Sequence, residues 1–112
     1  MILATLKIGV SPDRRAGVLE VFSLLLEPIR VEPGCLWCGL YQEVGNGDEL
    51  LYVEEWETPE QLERHMRSGR YERLLAIMEA SDRPPVLRYS SISAARGLEY
   101  LEAVRLGSAA PS

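Results

Sequence analysis

The chain has 112 residues, of which 46% are hydrophobic and 26% are charged, and this length and composition suit one globular domain with an apolar core of its own. The 17 acidic residues outnumber the 12 basic ones and give a formal net charge of -5. A negative field repels nucleic-acid phosphates and anionic membrane surfaces, so neither is an expected partner.

The first predicted elements are a strand and a long helix. Every second residue from Ile2 to Val10 is apolar, and this period of two indicates a strand with one buried face. Ser11 and Pro12 then favour a helix start, because a serine hydroxyl can cap free N–H groups and proline lacks an N–H at the first helical position. The apolar stripe of this helix is predicted to consist of Leu19, Phe22, Leu26 and Ile29.

Two further strands are predicted from Cys35 to Val44 and from Glu49 to Glu57, joined by Gly45-Asn46-Gly47-Asp48. With a loop of this length Val44 faces Glu49, and the other cross-strand pairs follow by counting back. A loop one residue shorter or longer would exchange the two faces of the strands. The count places four aromatic residues on one face, with Glu54 opposite Gly39: Trp37, Tyr41, Tyr52 and Trp56.

The cysteines Cys35 and Cys38 have the spacing of redox and zinc motifs. In a regular strand, side chains three residues apart point to opposite faces, which separates these thiols by ~10 Å. A disulfide needs Cα atoms within about 7 Å, and a zinc site needs more ligands than these thiols and the only histidine, His65, provide. We therefore expect two free thiols that pack as small hydrophobic groups, and no metal site.

The second half of the chain predicts a helix, a strand and a short final helix. Thr58-Pro59-Glu60-Gln61 opens the helix with a capping box, and Ser68-Gly69 interrupts it. Its later apolar side is predicted to be Tyr71, Leu74, Leu75 and Met78. A fourth strand is predicted from Val86 to Ala95. The order β-α-β-β-α-β predicts a ferredoxin-like α+β fold, a four-stranded antiparallel sheet with two helices on one face.

A short amphipathic helix is predicted from Leu98 to Leu106, within one domain of residues 1–106, and residues 107–112 are expected to form a disordered tail. Apolar runs fall far short of the ~20 residues of a membrane-spanning helix. The first residues lack the basic region and the apolar stretch of a secretory signal. The sequence therefore predicts a cytoplasmic protein.

Both faces of the predicted sheet are largely apolar, whereas a sheet with one side in water alternates apolar and polar residues. Two helices cover only one face, and the other would expose several hundred Å² of apolar surface. We expect a second copy of the chain to cover it, sheet against sheet, in a homodimer. The alternative cover is the last helix of the same chain, through Leu98, Leu101 and Val104.

The aromatic face of the hairpin suits a flat aromatic or conjugated ligand, because rings offer stacking area and Gly39 leaves space. Cross-strand packing alone is the alternative explanation. Glu54 favours the ligand hypothesis, because an acid buried between tryptophans needs hydrogen-bond donors and such groups concentrate at functional sites.

Several motifs carry a family resemblance. They are Glu32-Pro33-Gly34-Cys35-Leu36 at the start of the second strand, Leu40-Tyr41-Gln42 within it, Tyr52-x-Glu54-x-Trp56 in the third strand, and Leu62-x-x-His65 with Ser68 in the second helix. With them the chain resembles the antibiotic biosynthesis monooxygenase (ABM) family of dimeric α+β barrels. The resemblance covers most of the chain. Cys38 stands where the family usually has an aromatic residue.

The resemblance implies a ligand pocket between the sheet and its helices, lined by Trp56. Members include cofactor-independent oxygenases of quinols and polyketide phenols, haem-degrading enzymes and enzymes that process signal molecules. Haem-degrading members use an asparagine on the first strand and a histidine late in the second helix, and this sequence has neither. The resemblance thus favours an oxygenase without cofactor, because an electron-rich phenolate or quinol can itself reduce oxygen.

On this hypothesis Trp56 and Tyr41 hold the ring, Glu54 or His65 is the base, and the protein excludes water. A histidine at the margin of an apolar stripe, like His65, is alternatively a structural residue. The candidate catalytic residues are Trp56, Glu54 and His65, and the candidate substrate-binding residues are Trp37, Tyr41, Tyr52, Tyr71 and Met78. The last two are otherwise core residues.

The sequence therefore predicts a homodimer that binds a small planar organic molecule and oxygenates it without metal or flavin. A non-catalytic ligand-binding or stress-response protein on the same fold is the alternative. Oxygen uptake with hydroquinones or polycyclic phenols separates the two. An isomerase or decarboxylase is a third hypothesis, and it would show turnover under nitrogen.

Overall fold

The structure is a computed structural model, and it describes residues 1–107. Its elements in chain order are β1 (Ile2–Gly9), α1 (Pro12–Arg30), β2 (Cys35–Glu43), β3 (Asn46–Trp56), α2 (Pro59–Met66), α3 (Tyr71–Glu79), β4 (Val86–Ser91) and α4 (Leu98–Arg105). Of the tail predicted for residues 107–112, Gly107 is in a turn and the other five lie outside the described residues. No helix within residues 1–107 is long and apolar enough to cross a membrane.

The strands form one antiparallel sheet in the order β2-β3-β1-β4. In β1 every even-numbered residue is buried, as the period of two predicts. The buried apolar residues of α1, α2 and α3 belong to the same core as Ile2, Leu6 and Ile8, so these helices cover one face of the sheet. We call this the inner face and the opposite side the outer face. The predicted ferredoxin-like α+β fold is confirmed.

Helix α1 begins after Ser11 with Pro12 at its first position, as predicted, although the Ser11 side chain makes no capping hydrogen bond. The helix continues through Pro28 to Arg30. Its buried residues are Val18, Phe22, Leu25 and Ile29. The predicted stripe is therefore wrong in part: Leu19 is exposed and Leu26 is only partly buried, because the buried row lies one residue earlier at two of its four positions.

The β2–β3 hairpin is tighter than predicted. Its turn consists of Val44 and Gly45, and Gly45 takes a positive φ of 86°, a conformation that glycine adopts without steric cost. Next to the turn a bulge leaves residues 47–49 of β3 without partners in β2, so Tyr41 pairs with Leu51 rather than with Tyr52. The predicted register is wrong by one residue, and a slip of one residue moves each side chain of β2 to the other face. Bulges between Cys35 and Trp37 and between Gln42 and Glu43 complete the irregular pairing.

The first of these bulges also corrects the prediction for the cysteines. Cys35 pairs with Trp56 and Cys38 pairs with Glu54, so both thiols are on the inner face instead of opposite faces. The extra residue, Leu36, shifts the alternation between them. Both cysteines are free, as expected. Burial raises the pKa of the Cys35 thiol to about 11 and that of Cys38 to about 12, so both are thiols at neutral pH.

Helices α2 and α3 follow the predicted boundaries. Thr58 Oγ1 accepts a hydrogen bond from the Gln61 backbone N–H at 3.3 Å, which is one half of the predicted capping box. The interruption at Ser68-Gly69 separates the two helices. On α3 the buried residues are Tyr71, Leu74 and Ile77, whereas Leu75 is exposed and Met78 is partly buried.

The outer face is not covered by α4. No residue of this helix is buried, and Leu98, Leu101 and Val104 are each at least half exposed. The structure therefore contradicts the alternative in which the last helix packs back over the sheet. Apolar and aromatic side chains of all four strands have their register positions on the uncovered outer face: Leu3, Trp37, Tyr41, Leu51, Val53 and Val86.

Candidate functional site

The centre of the inner face carries polar groups contributed by β3. Tyr52, Glu54 and Trp56 alternate with outward residues, so the period of two directs all three side chains toward the helices. They are 4%, 3% and 0% exposed. A carboxyl group at this depth is stable only if hydrogen bonds replace its lost hydration.

Three donors surround the Glu54 carboxylate. Tyr52 Oη donates to Oε2 at 2.5 Å, and Trp56 Nε1 donates to Oε1 at 2.9 Å. His65 Nε2, from α2, lies 2.8 Å from Oε2. Because the Tyr52 proton is directed at Glu54, the Cys38 thiol, 3.2 Å from Tyr52 Oη, is the donor to that oxygen. Burial and the nearby Glu54 charge raise the pKa of Tyr52, which keeps this phenol protonated.

His65 connects Glu54 to a second carboxylate. Its Nδ1 lies 3.1 Å from both oxygens of Glu32, and Arg70 Nη1 donates to Glu32 Oε2 at 3.1 Å. The imidazole stacks on Trp56 with 4.7 Å between ring centroids, and it makes a T-shaped contact with the Tyr71 ring with 5.2 Å between centroids. Burial acts to lower the pKa of His65, but the hydrogen bond and charge of Glu54, together with Glu32, raise it above its ordinary value.

The sequence between α1 and β2 explains how Glu32 reaches this position. The Cys35 N–H donates to the Glu32 carbonyl at 3.1 Å and closes a four-residue turn. Pro33 fixes the backbone at the second position of the turn, and Gly34 has a positive φ of 87° at the third, the pattern of a type II turn. An ideal Cβ at Gly34 would lie 2.1 Å from the Gln61 side chain, so glycine is also required by space.

A small cavity of about 10 Å³ adjoins Glu54, between β1, β4 and α3. Its polar and polarizable lining includes Tyr52, Glu54, Tyr71, Met78 and Tyr89. The hydroxyls of Tyr71 and Tyr89 are 3.4 Å apart, and Tyr89 is 43% exposed. The cavity is therefore separated from solvent at the β4 edge of the sheet by side chains rather than by backbone.

Two predicted site residues are not at this site. Trp37 and Tyr41 are on the outer face, where Trp37 Nε1 donates to Tyr41 Oη at 2.9 Å and Arg30 lies 4.5 Å from the indole centroid. The space predicted above Gly39 is filled by that contact, because an ideal Cβ would be 2.7 Å from Tyr41 Oη and 2.9 Å from Trp37 Nε1. The predicted grouping of these two residues with Tyr52 and Trp56 is wrong, and the hairpin register is the reason.

The other six predicted residues do come together on the inner face: Tyr52, Glu54, Trp56, His65, Tyr71 and Met78. Sequence reasoning missed Glu32, Arg70 and Tyr89 as parts of this cluster. In the sequence, Glu32 stands out only as the first residue of a motif that carries the family resemblance. Arg70 follows a helix break, and Tyr89 was one aromatic residue in a strand; neither position carries a signal of its own.

A larger open groove of about 620 Å³ lies between α1 and α3. Aliphatic side chains line most of it, with Arg14 and Arg73, and no acid, histidine or aromatic residue is present. We therefore place the candidate site at the smaller cavity, which has an acid, a histidine and aromatic rings. Within residues 1–107, no group of three His, Cys, Asp or Glu side chains is arranged to hold a metal ion.

Comparison with known proteins yields one family. The model of the family described as antibiotic biosynthesis monooxygenase matches residues 1–76. An uncharacterised protein of Synechocystis sp. is 28% identical over 61 residues, which are 54% of this chain and 42% of that protein. This chain thus matches less than half the length of that relative.

Solved structures share the fold. A conserved protein from Methanosarcina mazei is 27% identical, with a TM-score of 0.74 over 80% of this chain and 89% of that chain. The crystal structure of an antibiotic biosynthesis monooxygenase is 21% identical, with a TM-score of 0.74 over 84% of this chain and 100% of that chain. A Mycobacterium tuberculosis protein is 22% identical, with a TM-score of 0.76 over 86% and 98%.

Proposed function

The chain belongs to the antibiotic biosynthesis monooxygenase family, and from this premise we propose that it oxygenates a planar phenol or quinol without metal or flavin, at the cavity beside Glu54. The observation that carries the proposal is the buried contact of 2.8 Å between the Glu54 carboxylate and the His65 imidazole, at a cavity lined by tyrosine rings. Buried titratable groups with a specific charged partner beside a cavity cluster at functional sites.

The residues at the cavity have distinct roles in this proposal. Glu54, supported by His65, takes the phenolic proton and leaves an electron-rich phenolate. Tyr71 and Met78 bind the substrate ring by contacts with the edge and the face of that ring. Tyr52 and Trp56 position the carboxylate through their hydrogen bonds to its two oxygens. The apolar surroundings exclude water from the reactive intermediate.

The proposed reaction converts a phenol and one molecule of O₂ into a quinone and one molecule of water. The organic substrate gives up four electrons and O₂ accepts four. One oxygen atom forms the new carbonyl, and the other leaves as water with the phenolic proton and the ring proton. The protein supplies a base, a binding surface and a dry site.

The cavity must enlarge to admit a ring, because its volume is only about 10 Å³. The half-exposed side chains Leu87 and Tyr89 stand at the β4 edge, where the Tyr71–Tyr89 hydroxyl contact is long at 3.4 Å. A displacement of these side chains would open the cavity without breaking backbone hydrogen bonds. We propose this edge as the route by which the substrate reaches Glu54.

The exposed apolar and aromatic side chains of the outer face support the proposed homodimer. Packing against a second sheet would remove the Trp37–Tyr41 pair from water. Trp37 and Tyr41 are 42% and 48% exposed, and α4 does not cover them. Contiguous apolar patches of this kind are uncommon on monomers and typical of interfaces. A monomeric mass in solution at micromolar concentration would contradict the proposed dimer.

Oxygen uptake by the pure protein tests the proposed activity. We expect consumption above the buffer rate with at least one member of a panel of hydroquinones and polycyclic phenols. Glu54→Gln should abolish it, because the amide is a far weaker base, while Glu55→Gln, one residue along β3 on the outer face, should retain it. No uptake with any compound, or equal uptake by both variants, would contradict the proposal.

One observation favours the alternative of a non-catalytic binding protein. The Glu54 carboxylate already accepts three hydrogen bonds and so is stabilised without a ligand. In a Trp37→Phe background Trp56 is the single tryptophan, and its fluorescence reports binding at the inner face. Quenching by a planar phenol without oxygen uptake would support binding alone.

A further inference from the structure

The acid–base pair beside the cavity has a second connection, which leads to the surface. Glu32 lies between His65 and Arg70 and contacts both. We propose that Glu32 is the outlet for the Nδ1 proton of His65, so that Glu54 can take up a proton at the cavity while the Glu54–His65 pair stays without net charge. This inference rests on the proposed function only in naming the substrate as the source of the proton that Glu54 accepts.

The hydrogen bonds of the imidazole require protons on both of its nitrogens. An ionised carboxylate accepts hydrogen bonds and donates none. Nε2 faces Glu54 at 2.8 Å and Nδ1 faces Glu32 at 3.1 Å, so the doubly protonated ring satisfies both contacts. Trp56 against one ring face and Tyr71 at the edge keep each nitrogen directed at its own carboxylate.

Charge alternates along this chain of side chains from the surface inward. Arg70, Glu32, His65 and Glu54 are 39%, 16%, 0% and 4% exposed at the side chain. With the imidazole charged, the signs are plus, minus, plus and minus, and they sum to zero. A proton added to Glu54 alone would give the buried Glu54–His65 pair a net positive charge, which is costly in an apolar interior.

Release of the Nδ1 proton removes that cost. In the proposed step the substrate O–H bond breaks as an O–H bond forms on Glu54, and the Nδ1–H bond of His65 breaks as an O–H bond forms on Glu32, which then passes its proton to water. The substrate is left as the anion. The Nε2–H bond is retained and continues to donate to Glu54. The Glu54–His65 pair carries no net charge before or after the step, and no electrons are transferred. The step reverses when Glu54 returns its proton to the product water.

The groups that face the imidazole come from every neighbouring element. Glu54 is on β3, Glu32 follows α1, Arg70 precedes α3 and Tyr71 is on α3. Titratable groups one contact further away are on β2 and β3: Cys35, Cys38 and Tyr52. Burial raises the pKa of each of these three groups from an ordinary value that is already above neutral pH, so none of them exchanges charge with His65 near neutral pH.

Proton exchange at His65 tests the outlet directly. Because His65 is the only histidine, ¹⁵N-histidine labelling gives one imidazole, whose Hδ1 and Hε2 exchange with water is measured by NMR. We expect Glu32→Gln to slow Hδ1 exchange by roughly tenfold or more, through loss of the general base, with Hε2 exchange unchanged. Glu63→Gln, which removes a surface carboxylate of the same helix that pairs with Arg67, is the matched control. Unchanged or faster Hδ1 exchange in Glu32→Gln would overturn the proposal.

The titration midpoint of the same imidazole is a second measurement. Glu32→Gln should lower it and Arg70→Gln should raise it, because the first removes a negative charge and the second a positive charge near the ring. If Glu32→Gln does not fold, Glu32→Asp retains the charge and should slow Hδ1 exchange to a smaller extent. Midpoints that do not move in opposite directions would also overturn the proposal. These experiments use no substrate, so an absence of oxygen uptake would contradict the proposed activity and leave this result standing.

Discussion

The two faces of the sheet use the same residue types to different ends. On the inner face Tyr52, Glu54 and Trp56 are buried and hydrogen-bonded to one another, and His65 closes the network. On the outer face Trp37 and Tyr41 also share a hydrogen bond, but both rings are about half exposed. The difference teaches that the depth of burial, not the residue type, decides whether a tyrosine–tryptophan pair holds a charged group or offers contact surface.

Adjacent glutamates on β3 give the largest expected effect and the sharpest test of this comparison. Glu54→Ala should destabilise the fold by about 3 to 5 kcal/mol, because it leaves the charged His65 and the Tyr52 and Trp56 donors without a partner. Glu55→Ala, on the outer face, should change stability by less than about 0.5 kcal/mol. Urea unfolding of both variants measures the difference. Similar losses for the two would show that the faces do not differ energetically.

A smaller effect is expected on the outer face, in association rather than in folding. Trp37→Ala should weaken the proposed homodimer by about 2 kcal/mol, a factor of roughly 30 in the dissociation constant, because large aromatic side chains dominate interface energies. Sedimentation velocity over a concentration series measures this. Leu24→Ala, an exposed leucine on α1, is the control and should leave association unchanged. An unaltered dissociation constant in Trp37→Ala would remove the outer face from the interface.

The smallest expected effect is a pH dependence of the stability of the fold, which His65 on the inner face causes. Glu54 and Glu32 raise the pKa of His65 in the folded protein, so its contribution to stability is complete below the ordinary histidine pKa of about 6.5 and is lost as the pH rises through the raised value. The urea midpoint should therefore fall as the pH rises across that interval. His65→Gln should lack this component. The same fall in the variant would assign it to another group.

The alternating apolar pattern of β1 was enough to predict the strand and its buried face, because burial of one face is a local property of the sequence. The hairpin register was not predictable in this way. Turns of two or of four residues would give β2 the same inner and outer faces, so the turn residues alone do not decide the outcome. The bulge between Gln42 and Glu43, which leaves three residues of β3 without partners in β2, decided which face received Trp37 and Tyr41.

The site was predicted to the extent that it follows from one strand. Tyr52, Glu54 and Trp56 share a face in any regular strand, so their proximity needs no tertiary information. Glu32 and Arg70 lie in connections, and their contacts with each other and with His65 depend on how α1, α2 and α3 pack. Sequence spacing carries no information on that packing, which is why these two residues were recognised only in the structure.

The central position of β1 has a consequence for the nascent chain. Ile2 pairs with Trp56 on one side and with Ser91 on the other. During translation β1 therefore leaves the ribosome before either neighbour exists, with both of its backbone edges open and an apolar row exposed. The β2–β3 hairpin can form early from local contacts, but β1 acquires its second neighbour only after β4 emerges. The strands are therefore translated in one order and paired in another. The chain is most exposed to aggregation after β1 has emerged and before β4 pairs with it.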